Sequence, residues 1–306
     1  MKLILEDDYR LYKMERGDFP ENTYILSGED TAHILFRPYL AGKELQDRME
    51  GVAEKMMKAA GKVALNGKKP SEISELVFLA GGLYYQMNQG FKRVFDRALP
   101  QCFLGIKRQR VEGTEGGFTA VATYENFESL PDNATVIIGD TIATGATLQK
   151  GIYHLFEALQ LRKQRISDLI VFSLACSVAG AKKMKEIEDR MKRDFPESKV
   201  HFFVCEQLFH LMPDGTDMRF LYDDSVIPDG FRAKVIENFG EELGHDMKCA
   251  VFDWGTRCKN PIKHYAEFLE AAEGMLKEAK GQKTKAVLED MIKETKEALE
   301  GFSRPL

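Results

Sequence analysis

The chain has 306 residues, 44% hydrophobic and 30% charged, with a formal net charge of −5. At about 150 residues per domain, this length predicts two units or one elaborated α/β domain with a sizeable core. The composition excludes collagen-like, low-complexity and disulfide-scaffold proteins, and the mild acidity argues against a nucleic-acid-binding surface.

No run approaches the roughly 20 apolar residues of a membrane helix, so no membrane partner is expected. Glu6, Asp7 and Asp8 follow the first residues too closely for a signal peptide. Cys102, Cys176, Cys205, Cys249 and Cys258 are odd in number and widely spread. They read as reduced thiols in a cytoplasmic protein.

Residues 1–40 are mixed, with short apolar runs at 24–26 and 33–36. Leu45, Met49, Val52, Met56 and Ala60 recur at three- and four-residue steps, which predicts a helix over 42–65. Residues 75–80 (ELVFLA) predict a buried strand, and Gly81 and Gly82 open a helical segment over 83–97. A strand follows at 102–107, then a Gly-rich mobile loop at 112–118 and a returning strand at 119–124. Pro131, Asp132 and Asn133 mark a turn before the β-biased run 134–138 (ATVII), and a helix follows over 147–162. Further on come a strand at 168–175, a helix at 179–193 and a strand at 199–205. Beyond Pro228 the pattern loosens, until the Ala/Glu/Lys/Leu-rich 262–300 predicts one or two amphipathic helices. Strands alternating with helices predict βαβ units with right-handed crossovers. The expected fold is α/β, with a doubly wound, mostly parallel sheet.

The most informative stretch is 136–149, VIIGDTIATGATLQ. A buried strand ends at Gly139 and Asp140, and a short loop leads into a helix. In an open α/β sheet, ligands bind at the carboxyl ends of strands, where a helix N-terminus offers free N–H groups and a positive dipole end to an anion. Gly145 allows close backbone approach to a phosphate. Thr141, Thr144 and Thr147 add hydroxyls. Asp140 is placed to accept from sugar hydroxyls or to hold Mg²⁺ through water. The plain structural alternative is a strand–loop–helix joint with Thr147 as N-cap. No Walker-type Gly-Lys-Ser/Thr and no G-x-G-x-x-G after a strand is present.

IIGDTIATGAT resembles the phosphoribosyl-pyrophosphate (PRPP) motif of type I phosphoribosyltransferases: a hydrophobic strand, an acidic pair and a Thr-Gly-x-Thr loop. It departs at the first acidic slot, where Gly139 stands. Upstream, LGIKRQR at 104–110 and TYENFESLPDNATVII are similar to the uracil branch of that family. The resemblance implies that Lys107 and Arg108 face the pyrophosphate, which needs cations. LVFLAGGLYY at 76–85 resembles the pyrophosphate loop, with Gly81 and Gly82 turning amides toward the ligand, and with Ala80 where that branch carries Arg. LACSVAGAKKM at 174–184 resembles the joint near the base pocket. VFDWGTRCKNP at 251–261 resembles the branch's late Asp-x-Gly-x-Arg segment, in which backbone groups read the base edge. Asp253, Gly255 and Arg257 fit its spacing, Thr256 stands where the family has a second Asp, and Trp254 could wall a flat base.

The resemblance spans about 75–261. It implies a domain at 75–261, flanked by an N-terminal hood at 1–74 and a C-terminal helical tail at 262–306. The implied activity is phosphoribosyl transfer from Mg²⁺-PRPP to a nucleobase, a uracil-like pyrimidine in the first place, with release of pyrophosphate. The implied catalytic residues are Lys107, Arg108 and Asp140. The 5′-phosphate would be held by Thr141, Ala143, Thr144, Gly145, Ala146 and Thr147, and a homodimer is implied. Gly139, Ala80 and Thr256 favour a second possibility, a PRPP- or nucleotide-sensing relative without turnover. A third is another phosphate-sugar enzyme, such as a phosphoribosyl hydrolase or a kinase-like protein.

His245, Cys249, Cys258 and His264 fall in a 20-residue window, but their spacing is irregular and no Cys-x-x-Cys occurs, so packing is expected rather than zinc. The Lys-rich 182–193 helix reads as a solvated face.

Overall fold

A computed structural model describes residues 1–110, 118–228, 230–246 and 254–304. In chain order, β1 (Lys2–Glu6), β2 (Tyr9–Lys13) and β3 (Asn22–Gly28) are followed by α1 (Glu29–Phe36) and α2 (Gly42–Val63). Then come β4 (Ile73–Leu79), a 3₁₀ turn at Gly81–Tyr85, α3 (Met87–Phe95), β5 (Gln101–Arg110) and β6 (Phe118–Asn126). The central run is β7 (Ala134–Gly139), α4 (Ala146–Leu161), β8 (Ile166–Ser173), β9 (Cys176–Ser177), α5 (Val178–Asp194) and β10 (Lys199–Cys205). A hairpin of β11 (Leu208–Leu211) and β12 (Met218–Arg219) precedes α6 (Phe231–Asp246), α7 (Trp254–Lys259), α8 (Pro261–Glu278) and α9 (Gln282–Phe302).

Among the described residues, nine strands form one sheet in the order β1-β2-β3-β10-β8-β7-β4-β5-β6. The inner strands from β3 to β5 run parallel, and both margins are antiparallel. Parallel strands covered on both faces read as continuous apolar runs, and β7 (ATVIIG) is buried at every position. The two-residue period sends Ile170 and Phe172 of β8 into one core and Leu169 and Val171 into the other. The first core lies under α1, α2, α3, α6, α8 and α9, and the second under α4 and α5. The fold is therefore α/β with helices on both faces of a mostly parallel sheet.

The winding reverses at β4. From β4 the chain moves outward to β5 and β6, then returns to place β7 on the opposite side of β4. The carboxyl ends of β4 and β7 thus flank the switch point, the position at which open α/β sheets bind ligands.

The N-terminal segment contributes three strands to the sheet. Its apolar run at 24–26 lies in β3, which pairs in parallel with β10, Ile25 opposite Val204. The C-terminal helices likewise close a core: Phe268, Ala272 and Leu288 share a cluster with Tyr39, Leu45 and Met49. No described helix is long and apolar enough to cross a membrane.

The α2–α3 contact is the tightest helix packing that bears on the crevice. A Cβ on Gly90 of α3 would lie 2.5 Å from the Ala53 carbonyl carbon and 2.6 Å from its oxygen. Such backbone-to-backbone approach tolerates no methyl group. Gly90→Ala is expected to destabilise the protein by about 1–3 kcal/mol, read as a lower urea midpoint at unchanged slope. An unchanged midpoint would show that the two helices are free to separate.

Candidate functional site

The loop after β7 is tied down along its main chain. The Asp140 amide donates to the Phe172 carbonyl at 3.0 Å, the Ile142 amide to the Ala175 carbonyl at 3.0 Å, and the Ser177 amide to the Ile142 carbonyl at 2.9 Å. Ser177 Oγ donates to the Ala143 carbonyl at 2.5 Å and accepts from the Gly180 amide at 2.8 Å, so the N-cap of α5 also clamps the loop. Gly180 has no room for a Cβ, which would sit 2.9 Å from the Ala143 and Ile142 oxygens.

The loop ends at Gly145, the N-cap residue of α4, with φ +73° and no side-chain cap. The Thr144 hydroxyl receives the Ala146 amide only at 3.4 Å. By contrast, the first turns of α5 and α8 are capped by Ser177 and Asn260. The cap residue Gly145 thus offers no side-chain acceptor of its own, and the long Thr144 contact leaves the positive dipole end of α4 suited to an anion. The turn between β11 and β12 lies over this loop, since a Cβ on Gly215 would be 3.4 Å from Thr144 Cγ2.

Lys183 is a contributor that sequence reasoning missed. Its Cβ would be 2.9 Å from a Cβ on Gly145, and its Nζ pairs with Glu186 at 2.8 Å. The 182–193 helix is thus not wholly a solvated face. The available signal was the i, i+3 spacing of Gly180 and Lys183, which places both on the side of α5 that meets the loop.

Tyr85 explains the missing acid at Gly139. A Cβ at Gly139 would lie 2.6 Å from Tyr85 Cβ and 2.8 Å from its Cγ. The ring is fully buried, and its hydroxyl lies 2.7 Å from Thr141 Oγ1 and accepts from the Leu174 amide at 3.2 Å. A Cβ at Gly82 would stand 3.3 Å from the Gly139 carbonyl oxygen, so the Gly81–Tyr85 turn and the 139–147 loop form one unit. The Leu79–Ala80 peptide leading into that turn is cis.

Asp140 is half-buried, and its Oδ1 accepts from the Thr141 amide at 2.9 Å. Burial pushes its carboxyl up to about 7. Among the described residues, no three His, Cys, Asp or Glu side chains gather into a metal cluster. The residues at the loop therefore fit a divalent cation only as one carried in with a polyanion, with Asp140 as the protein's carboxylate.

Lys107 is exposed on β5, which outruns β4: Leu79 pairs with Gly105, and Lys107 stands two residues further on. The side chain of Arg108 lies outside the described residues, as do the loop at 112–117, Cys249, Asp253 and the side chains of Trp254 and Gly255. The helix α7 packs on α2 and on the Gly81–Tyr85 turn.

Arg257 does not serve as a base contact. Its side chain is fully buried, donating from Nε to the Leu40 carbonyl at 2.5 Å and from one terminal nitrogen to the Arg37 and Ile34 carbonyls at 2.8 and 3.3 Å. A guanidinium there satisfies carbonyls at the C-terminal end of α1, which no helical amide reaches. Its neighbour Thr256 is buried as well. His264 Nε2 lies 2.8 Å from the Pro38 carbonyl oxygen, and Cys258 is buried without a disulfide.

No family model and no curated protein matches this chain. Among solved structures, a hypoxanthine phosphoribosyltransferase from Staphylococcus aureus is similar to it at 21% identity, over 44% of this chain and 67% of that chain, with a TM-score of 0.32. Likeness at that level identifies neither family nor activity.

Two outcomes follow from the geometry. Arg257→Met should lower the unfolding free energy by about 3 kcal/mol or more, because the α1 carbonyls lose their buried donors, while ligand affinity of the folded fraction stays unchanged. A selective loss of affinity at unchanged stability would restore Arg257 to the site. Gly139→Asp, which would recreate an acidic pair, should instead destabilise by about 1–3 kcal/mol through overpacking against Tyr85. Thermal unfolding of Gly139→Asp, Tyr85→Ala and the double variant checks this, since Gly139→Asp should cost less in the Tyr85→Ala background than in the wild type.

Proposed function

We propose that the crevice between β4 and β7 binds PRPP and transfers its phosphoribosyl group to a nucleobase, releasing pyrophosphate. The observation that supports this reading most is the α4 N-terminus, whose cap residue Gly145 has no side chain, at the switch point beside a second glycine turn on the adjacent strand. Two amide-rich loops side by side suit a ligand with phosphates at both ends. The motif's resemblance to the PRPP loop names that ligand.

In this reading the 141–147 loop holds the 5′-phosphate, with Lys183 as an added cation. Asp140 accepts from the ribose hydroxyls. Gly81, Gly82, Lys107 and Arg108 face the pyrophosphate. A base nitrogen forms its bond to ribose C1 as the bond from C1 to the pyrophosphate oxygen breaks; the electron pair leaves with pyrophosphate, and the proton of the base nitrogen passes to solvent. Asp140 would hold a Mg²⁺ ion that comes with the substrate, which would neutralise part of that charge. The protein's share is positioning and charge stabilisation. A uracil-like acceptor rests on the resemblance at 251–261, from which the core position of Arg257 removes one contact.

A second reading is favoured by Tyr85. Its ring fills the space of the first acidic side chain, so only Asp140 is left to meet the ribose. A protein that binds PRPP or a nucleotide without turnover fits that arrangement.

Pyrophosphate release, measured with a panel of purine and pyrimidine bases, separates the two: base-dependent release supports transfer, and PRPP binding without release under any base supports the sensor. Asp140→Asn and Thr144→Ala should each weaken PRPP binding about tenfold or more, the worth of a hydrogen bond to a charged group. Because the Asp140 carboxyl titrates near 7, wild-type affinity should rise as pH increases through that value, and Asp140→Asn should flatten the rise. Unchanged affinity in both variants would remove the site from the crevice.

A further inference from the structure

The sheet floor between α2 and α3 carries a polar pair where an apolar one would pack. Glu75 of β4 and Gln101 of β5 are register partners. Glu75 is 3% exposed, and Gln101 Nε2 donates to its Oε2 at 2.8 Å. Among the described residues its Oε1 has no hydrogen-bond partner. Both side chains line a cavity of 340 Å³ whose walls are Gln46 from α2, Leu83 and Tyr84 from the turn, and Met87 and Gln89 from α3. That volume falls within the range of small-molecule pockets, about 300–1,000 Å³. The Gly81–Tyr85 turn separates this cavity from the α4 N-terminus.

A carboxyl sunk this deeply is costly to ionise unless a donor meets it. Burial accordingly pushes Glu75 up to about 7. Among the described residues, no other charged side chain lines the cavity, and Tyr84 is the one other titratable group in its walls. With Gln101 Nε2 engaged, the remaining acceptors are Glu75 Oε1 and Gln101 Oε1. The two acceptors belong to register partners joined by that hydrogen bond, and a planar group with several N–H donors is the kind of ligand that can meet both. Tyr84, Leu83 and Met87 offer an aromatic face and apolar sides to a flat cation.

We propose that this cavity is a binding site for a small molecule bearing an amidinium or guanidinium group, held by Glu75 and Gln101. The site is independent of the PRPP reading, and its ligand would lie against the opposite side of the Gly81–Tyr85 turn. Binding keeps Glu75 ionised, so near neutral pH the carboxyl gives up its proton to the buffer as the cation enters.

The test is calorimetric titration of the full chain with benzamidine at neutral pH, in two buffers of unlike ionisation enthalpy. Saturable binding with proton release is expected. Glu75→Gln should weaken it about tenfold or more and abolish the proton release. Gln89→Lys changes an exposed wall residue and should weaken binding by repulsion without disturbing the fold, so it decides the matter if Glu75→Gln unfolds. Absence of saturable binding to the wild type, or wild-type affinity in Gln89→Lys or in a folded Glu75→Gln, would overturn the proposal.

Discussion

The close approach of the Tyr85 ring to the main chain at Gly139 is the constraint on which the crevice depends. With no side chain at 139, the ring slides under the end of β7. From there its hydroxyl reaches the Thr141 side chain and the Leu174 amide. Burying a phenol is tolerable only when its hydroxyl is paired, and here the pairing joins three segments of chain. The turn after β4, the loop after β7 and the end of β8 are thereby fixed relative to one another. The amides around Gly145 are held before any ligand arrives, which reduces the ordering cost of binding.

The same economy of volume recurs around the loop. Gly180 lets α5 press its first turn against the Ala143 carbonyl, and Ser177 completes the clamp. Gly145 takes a left-handed conformation and lies against Lys183. The protein is acidic overall, with net charge −5. Positive potential at the crevice therefore comes from local features: the dipole of α4, Lys183 beside it, and Lys107 beyond the end of β4.

Away from the crevice, α1 is held at both ends by charged groups from distant parts of the chain. At its start, the buried Glu206 at the end of β10 accepts from the Gly28 amide at 2.9 Å and from the Ser27 and Thr31 hydroxyls. At its finish, Arg257 gathers the carbonyls of residues 34, 37 and 40. An anion at the N-terminus and a cation at the C-terminus each complement the helix dipole. This eight-residue helix could not persist alone. Its capping ties the carboxyl ends of β3 and β10 to α7, and α7 in turn rests on the turn that carries Gly81 and Gly82.

The sequence by itself determined the elements whose pattern is local. The apolar runs of β4, β7, β8 and β10, the periodic α2, and the strand–loop–helix at 136–149 were all readable, because period and loop chemistry are written in neighbouring residues. It did not reveal α6, whose pattern is interrupted by Gly240 at φ +76°, nor that residues 22–28 form an inner strand, because strand pairing is a long-range choice. Tertiary structure alone decided that Gly139 is glycine because of Tyr85, 54 positions earlier in the chain. It also decided that Arg257 belongs to α1 and that Lys183 reaches the loop after β7. In each case the deciding partner is near in space and far in sequence, and steric fit and desolvation act only on what folding brings together.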